Sequence, residues 1–321
     1  MIDSFSAPWQ VSLTVGQHTV IGYFLLLGVF AFVAGIVRAW LTQSEVSTRY
    51  RSATVARFSV MAIAFAAYVV LVLAFRDGYD LIDGMYVPNA TAIDSFAPRY
   101  VEWAVSVPLL TVELLAVCVI SGAQLRRTRL LAMTGTFLMV LTGFLGAVVF
   151  GADDGRSQLI VWGVVSCVFW LSTTALLIVT VRRSYPQLTA EGALVLRNAA
   201  TILLGGWVIY PVVYVLQILG SGGEWTTAIQ VTLTLADILV KLAFGGLIHR
   251  IAKLRTAEDV RAGLDVHPEA IWISSLKQSD AGVPREVYLA ADAVVHPRRI
   301  KPPEAAATAA SPSEAVPDLD E

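Results

Sequence analysis

The stretch LTLADILVKLAFGGLI, residues 233–248, decides the fold. It belongs to an apolar run long enough to cross a bilayer, yet it carries Asp237 and Lys241 four residues apart. On a helix that offset puts both on one face, where opposite charges compensate each other in low dielectric. Lysine is scarce in this chain: Lys241 is the first, and only Lys253, Lys277 and Lys301 follow. A simple buried ion pair accounts for the spacing. Because a charge in mid-membrane is costly, the pair is equally a candidate functional site.

Outward from this stretch, the composition is that of an integral membrane protein. Of the 321 residues, 56% are hydrophobic and only 15% charged, and the mean hydropathy is strongly positive. Apolar runs that can span a hydrocarbon core of roughly 30 Å lie near 19–41, 54–75, 98–120, 127–150, 157–181, 194–219 and 226–248. Each is expected to be a helix, because a spanning segment must satisfy its own backbone hydrogen bonds in lipid. The expected fold is therefore an all-α membrane protein, a bundle of seven transmembrane helices in the plasma membrane.

Arginines gather in alternate loops: RYRSATVAR (49–57), RRTR (126–129), RRSYP (182–186) and HRIAKLR (249–255). The other loops are acidic or neutral, with Asp77, Asp80, Asp83 and Asp94 in one and Asp153 and Asp154 in another. By the positive-inside rule the N-terminus is outside and the C-terminus cytoplasmic. No basic region precedes the first span, which reads as an uncleaved helix. Residues 1–252 form the membrane domain and 253–321 a cytoplasmic tail. In that tail AIWISSL (270–276) and EVYLAAD (286–292) are expected to pair as a short hairpin, and the Pro- and Ala-rich acidic end to be disordered. The net charge of −2 gives no sign of a nucleic-acid partner. Cys118 and Cys167 both lie in apolar runs, which suggests neither a disulfide framework nor a metal cluster.

The other ionisable groups in apolar runs are Arg57, Arg99, Glu102 and Glu113. In RYVEWAVSVPLLTVELL (99–115), Arg99, Glu102, Ser106 and Glu113 are offset by 3, 4 and 7 and fall on one helical stripe. For Arg57 a snorkelling helix-end charge is the plain alternative.

These residues resemble those of the microbial rhodopsins over roughly residues 15–250. ADILVKLAFG (236–245) is similar to the last-helix signature with the retinal-binding lysine, and RYVEWAVSVPLL to the third-helix signature with its counterion. The resemblance implies that all-trans retinal is carried on Lys241 as a Schiff base, with Glu102 and Asp237 as counterions and Arg99 balancing them from the outer side. It also implies a polyene pocket of Trp103, Met139, Gly143, Trp162 and Ser166. WVIYPVVY (207–214) adds Trp207, Tyr210 and Pro211, with Tyr214 where tryptophan is more usual. Such proteins are light-activated and are not enzymes. They sit in lipid as trimers or pentamers, and some signal through a cytoplasmic transducer.

The third-helix positions sort this family by function. Glu102, Ser106 and Glu113 keep both carboxyls of an outward proton pump but depart from its usual Asp and Thr. A chloride pump is unfavoured because Glu102 would repel the anion, and the sodium-pump pattern is missing. Aligning AIAFAAY (62–68) puts Arg57 on the cytoplasmic half facing Glu113, which lies about 16 Å along the helix from Glu102 at 1.5 Å per residue. An adjacent arginine favours the carboxylate and makes Glu113 a poor proton donor. This combination resembles the cryorhodopsins, which implies a photosensor with a slow photocycle; the alternatives are a light-driven outward proton pump and a seven-helix receptor or transporter without chromophore. The outer release glutamates have no clear counterpart, since Glu224, Ile229 and Gln230 stand near the start of the last span.

Overall fold

The computed structural model describes residues 6–150, 156–263, 287–290 and 293–295. Among the described residues, seven helical units long and apolar enough to cross a membrane run over Val15–Leu41, Thr48–Asp77, Ala92–Val117, Gly122–Val149, Arg156–Gln187, Ala190–Leu219 and Gly223–Arg261. Most overrun the apolar limits read from the sequence. Hydropathy registers only the lipid-embedded turns, whereas the helices continue into polar ends.

A two-residue strand, β1 (Leu13–Thr14), leads into α1 (Val15–Leu41). Thr14 starts that helix with a capping box: Gln17 N–H donates to Thr14 Oγ1 at 3.2 Å, and Thr14 N–H donates to Gln17 Oε1 at 2.9 Å. After α2 (Arg51–Asp77) come β2 (Tyr79–Ile82) and β3 (Met85–Pro88), an antiparallel hairpin whose other edge pairs with β1. Asp83 and Gly84 make its turn with φ of 49° and 80°, the primed geometry that an Asp-Gly pair favours. That signal stands in the sequence, but the segment reads there only as an acidic loop.

The bundle continues through α3 (Pro98–Val117), α4 (Gly122–Phe144) and α5 (Arg156–Ser184). The sixth span is split into α6 (Ala190–Gly206) and α7 (Ile209–Leu219), the seventh into α8 (Gly223–Ile238) and α9 (Phe244–Arg261). The break in the sixth lies just before Pro211, which has no N–H for the preceding turn. In the seventh, α8 and α9 are joined by a π-helical turn, Leu239–Ala243, that contains Lys241; such wide turns concentrate at functional sites. Helix α1 packs on α2 and α8, and α6 packs on α9, which closes the ring.

Polarity is inverted relative to a water-soluble protein. Phe30, Leu130 and Leu219 are each about 70% exposed on the outer surface, whereas Glu113, Asp237 and Thr234 are fully buried. Apolar atoms meet lipid, and polar groups find each other inside.

Two findings concern the end of the chain. The change of composition near residue 252 is not a structural boundary: α9 continues to Arg261, and Ile251, Leu254, Thr256 and Asp259 are buried. Thr256 Oγ1 accepts from Ser47 N–H at 3.1 Å, Asp259 takes Tyr50 O–H at 2.7 Å and Arg49 at 3.0 Å, and Arg255 donates to Val117 O at 2.8 Å. The tail also holds a hairpin, but EVYLAAD pairs with its own continuation: β4 (Val287–Ala290) lies antiparallel to β5 (Ala293–Val295). The expected partner at 270–276, the acidic loop at 153–154 and the final residues lie outside those described.

Candidate functional site

The third and seventh spans meet at Lys241, and the second and sixth join them through Asp237. Its Nζ donates to Glu102 Oε2 of α3 at 2.7 Å and lies 3.1 Å from Asp237 Oδ1, all three side chains being at most 2% exposed. Asp237 is heavily engaged. Oδ1 also accepts from Tyr210 O–H at 2.7 Å and Trp103 Nε1–H at 3.0 Å, Oδ2 accepts from Tyr68 O–H at 2.9 Å, and Arg99 Nη1 stands 3.7 Å away. Glu102 differs: Lys241 holds Oε2, and Oε1 has no hydrogen-bond partner. One carboxylate is saturated with donors and the other keeps acceptor capacity.

Arg99 is fixed by Gln230 Oε1 at 2.9 Å, Thr234 Oγ1 at 3.1 Å and Tyr68 Oη at 3.0 Å. It thus braces the Asp237 side of the site. Gln230, Thr234 and Tyr68 went unassigned in the sequence. Gln230, Thr234, Asp237 and Lys241 are spaced 4, 3 and 4 apart, a helical stripe that was legible. Tyr68 was visible only as a lone hydroxyl in the second span.

An apolar cavity of about 470 Å³ adjoins this cluster between α3, α4, α5 and the sixth span. Trp103, Met139, Gly143 and Ser166 line it on one side, and Trp207, Tyr210, Pro211 and Tyr214 on the other. Trp103 and Tyr210 meet edge to face at 5.1 Å and form the wall shared with Asp237. Ser166 Oγ donates to Met139 O at 2.8 Å. Trp162 departs from expectation: it stacks on Phe150 at 5.7 Å and does not line the cavity. The lining residue next to it is Gly163, where a Cβ would come within 2.7 Å of the Tyr214 ring. Absence of a side chain there lets Tyr214 lie across α5 and donate to Leu159 O at 2.9 Å.

Toward the arginine-loop end, Arg57 and Glu113 line one narrow cleft with His249, Ala53 and Ala252. They do not pair. Arg57 Nη2 donates to Thr42 Oγ1 at 2.8 Å and Ala39 O at 3.4 Å, and neither oxygen of the buried Glu113 has a hydrogen-bond partner. Gly245 separates them, its absent Cβ falling 3.2 Å from Arg57 Cγ and 3.3 Å from Glu113 Oε1. Arg57 and Glu113 thus border one cleft, but the arginine head is held at the end of the first span.

Comparison with known proteins agrees with this architecture. Residues 19–254 match the family model described as bacteriorhodopsin-like protein. A bacteriorhodopsin-II-like protein of Haloquadratum walsbyi is 30% identical over 212 residues, covering 64% of this chain and 78% of the relative. Sensory rhodopsin-1 of Halobacterium salinarum is 26% identical over 219 residues, covering 68% and 83%. Among solved structures, xanthorhodopsin, described as a light-driven ion pump with dual chromophore, aligns with a TM-score of 0.70 at 28% identity, covering 78% of this chain and 98% of that one. On the strength of the family match across all seven spans, this chain belongs to the bacteriorhodopsin-like family of membrane proteins.

Proposed function

We propose that this protein binds retinal covalently through Lys241 and acts as a slow-cycling photosensor of the plasma membrane, with its arginine-rich loops and C-terminus in the cytoplasm. The observation that carries the reading is the buried Lys241 amine, 2.7 Å from Glu102 and 3.1 Å from Asp237, behind the Trp103–Tyr210 wall of an apolar cavity. A cavity of about 470 Å³ with aromatic walls fits a polyene, and an amine so placed is suited to condense with an aldehyde. Bound there, retinal supplies a light-driven change in the direction and proton affinity of the Lys241 nitrogen.

The residues then divide the work. Asp237, holding donors from Tyr210, Trp103 and Tyr68, serves as the permanent counterion, because a proton added to it would displace a charge-assisted hydrogen bond. Glu102, with Oε1 available, is the proton acceptor from Lys241, and the Ser106 hydroxyl, also without a partner, stands one turn along α3. Arg99 compensates the second negative charge from the Tyr68 side. Trp207, Pro211, Met139 and Gly143 shape the apolar walls and exclude water.

Return of the proton is the step that sets sensor apart from pump. Arg57 places a fixed positive charge in the cleft of Glu113, which favours a slow return and a long-lived signalling state. Sensory rhodopsin-1 among the relatives is consistent with a cytoplasmic transducer as partner. One observation supports the second reading, an outward proton pump: Glu113 is buried without an ion pair, the setting of an internal donor. Adding retinal to the purified apoprotein tests the shared core of both readings. A visible band, with borohydride reduction leaving the adduct on the peptide containing Lys241, is expected; no band would sink both.

A further inference from the structure

The cleft that holds Glu113 is not closed off from solvent by apolar side chains alone. His249 of α9 borders it, is only 8% exposed, and brings Nε2 to 2.9 Å from Glu45 Oε2. Glu45 lies in the short turn Gln43–Glu45 after α1, and its side chain is 35% exposed. Lys253 Nζ, one turn further along α9, reaches the same oxygen at 2.7 Å. Titratable groups thus run from solvent to the buried carboxyl in the order Glu45, His249, Glu113. The other charges around the histidine are Arg57 from α2 and Lys253 from its own helix.

We propose that His249 and Glu45 form the proton entry at the arginine-rich end, His249 being the group that passes protons into the Glu113 cleft. The proposal rests on the reading of Lys241 and Glu102 above, since only a cycle that removes a proton needs one returned. The chemistry suits the residue types. Imidazole has two nitrogens, so that one can accept a proton while the other gives one up, whereas arginine keeps its charge. A proton from solvent lands on Glu45. Its O–H bond then breaks as an N–H bond forms at His249 Nε2, the imidazolium releases the proton of its other nitrogen, and an O–H bond forms on the Glu113 carboxylate. Glu45 is left as a carboxylate against Lys253 and the ring is neutral, its proton now on Nε2; rotation of the ring resets it.

Glu45 is outside the spans. Burial raises its carboxyl, but hydrogen bonds from Lys253 and His249 outweigh that and hold it below the usual glutamate range. It is therefore ionised across neutral pH, ready to accept, and loses that charge only as pH falls below that range. The competing role is mechanical: the pair ties α9 to the α1–α2 turn, as Thr256 and Ser47 do nearby.

Two measurements on the full chain separate these roles. In the dark and without retinal, histidine-labelled protein is titrated by NMR. The His249 midpoint is expected to move in both Glu45→Gln and Glu113→Gln; a midpoint untouched by Glu113→Gln overturns the proposal. With retinal, a soluble pH dye follows proton uptake after a flash. His249→Gln, which can keep a hydrogen bond to Glu45 but cannot carry a proton, should slow uptake at least about tenfold, and added imidazole should restore it, as expected for lost acid–base transfer. Unchanged uptake in His249→Gln overturns the entry role and leaves the mechanical one. A wild type in which light moves no proton, while the dark coupling is present, overturns instead the reading of Lys241 on which the proposal rests.

Discussion

Arg57 and Glu113 share a cleft without touching as an ion pair: the guanidinium donates to Thr42 Oγ1 at 2.8 Å, and both Glu113 oxygens lack a partner. The arginine acts on the carboxyl as a nearby charge and not as a hydrogen-bonding lock. Its influence is graded, and it can be changed without leaving Glu113 with a broken contact.

Arg57→Gln keeps a donor for Thr42 but removes that charge. A carboxyl that gains a proton more easily would be ready in the dark, and one unit of proton affinity, about 1.4 kcal/mol, changes the protonated fraction about tenfold. The blue-shifted state, in which the Lys241 nitrogen has lost its proton, should decay faster, whereas Glu113→Gln should leave it slow. Flash photolysis of wild type and both variants decides; a lifetime unchanged or lengthened in Arg57→Gln reduces this arginine to a helix-end charge.

Gly245 should prove to be the spacer of this pair. A Cβ there stands 3.2 Å from Arg57 Cγ and 3.3 Å from Glu113 Oε1, so Gly245→Ala forces one of them aside at a cost of about 1 kcal/mol, the low end for overpacking. Adding Arg57→Ala removes the obstructing stem and should recover most of the loss. Thermal unfolding of the two single variants and the double variant measures the coupling; strict additivity would show that the stem is not what Gly245 accommodates.

Lys241→Ala should abolish the visible band entirely. Among the described residues the one other lysine is Lys253, which lies in the later turns of α9 and is engaged with Glu45 at 2.7 Å. A reducible retinal adduct persisting in the variant would refute the assignment.

Glu102→Gln removes the carboxylate nearest Lys241 Nζ, at 2.7 Å, and leaves Asp237 with its own donors intact. The buried cation loses one of two negative neighbours, so the band should move to the red, or the protonated form should be lost at lower pH than in wild type. Spectra recorded through a pH titration test this. If neither changes, Asp237 alone is the counterion.

Under continuous light, liposomes carrying the protein should acidify their surroundings only weakly, because proton return limits turnover. A strong outward proton current abolished by an uncoupler would favour the pump over the sensor.

The sequence by itself determined the seven spans, the inward stripe of α3 and the Asp237–Lys241 pair, because lipid leaves a spanning segment little choice but a helix and makes every charge in it conspicuous. Most residues expected around the cavity also took their places, since helical offsets carry over directly into faces. Tertiary structure alone decided what crosses between helices. Tyr68 reaches Asp237 from 169 positions away in the chain, and His249 meets Glu45 from 204 away; no local period records such distances. It also decided that Trp162 turns to Phe150 while Gly163 admits Tyr214, a matter of fit between two spans. The same holds for Arg57, whose placement on the second span was legible. Whether its head turns to Glu113 or to Thr42 depends on which helix end lies within reach of a long side chain, and only the packed bundle settles that.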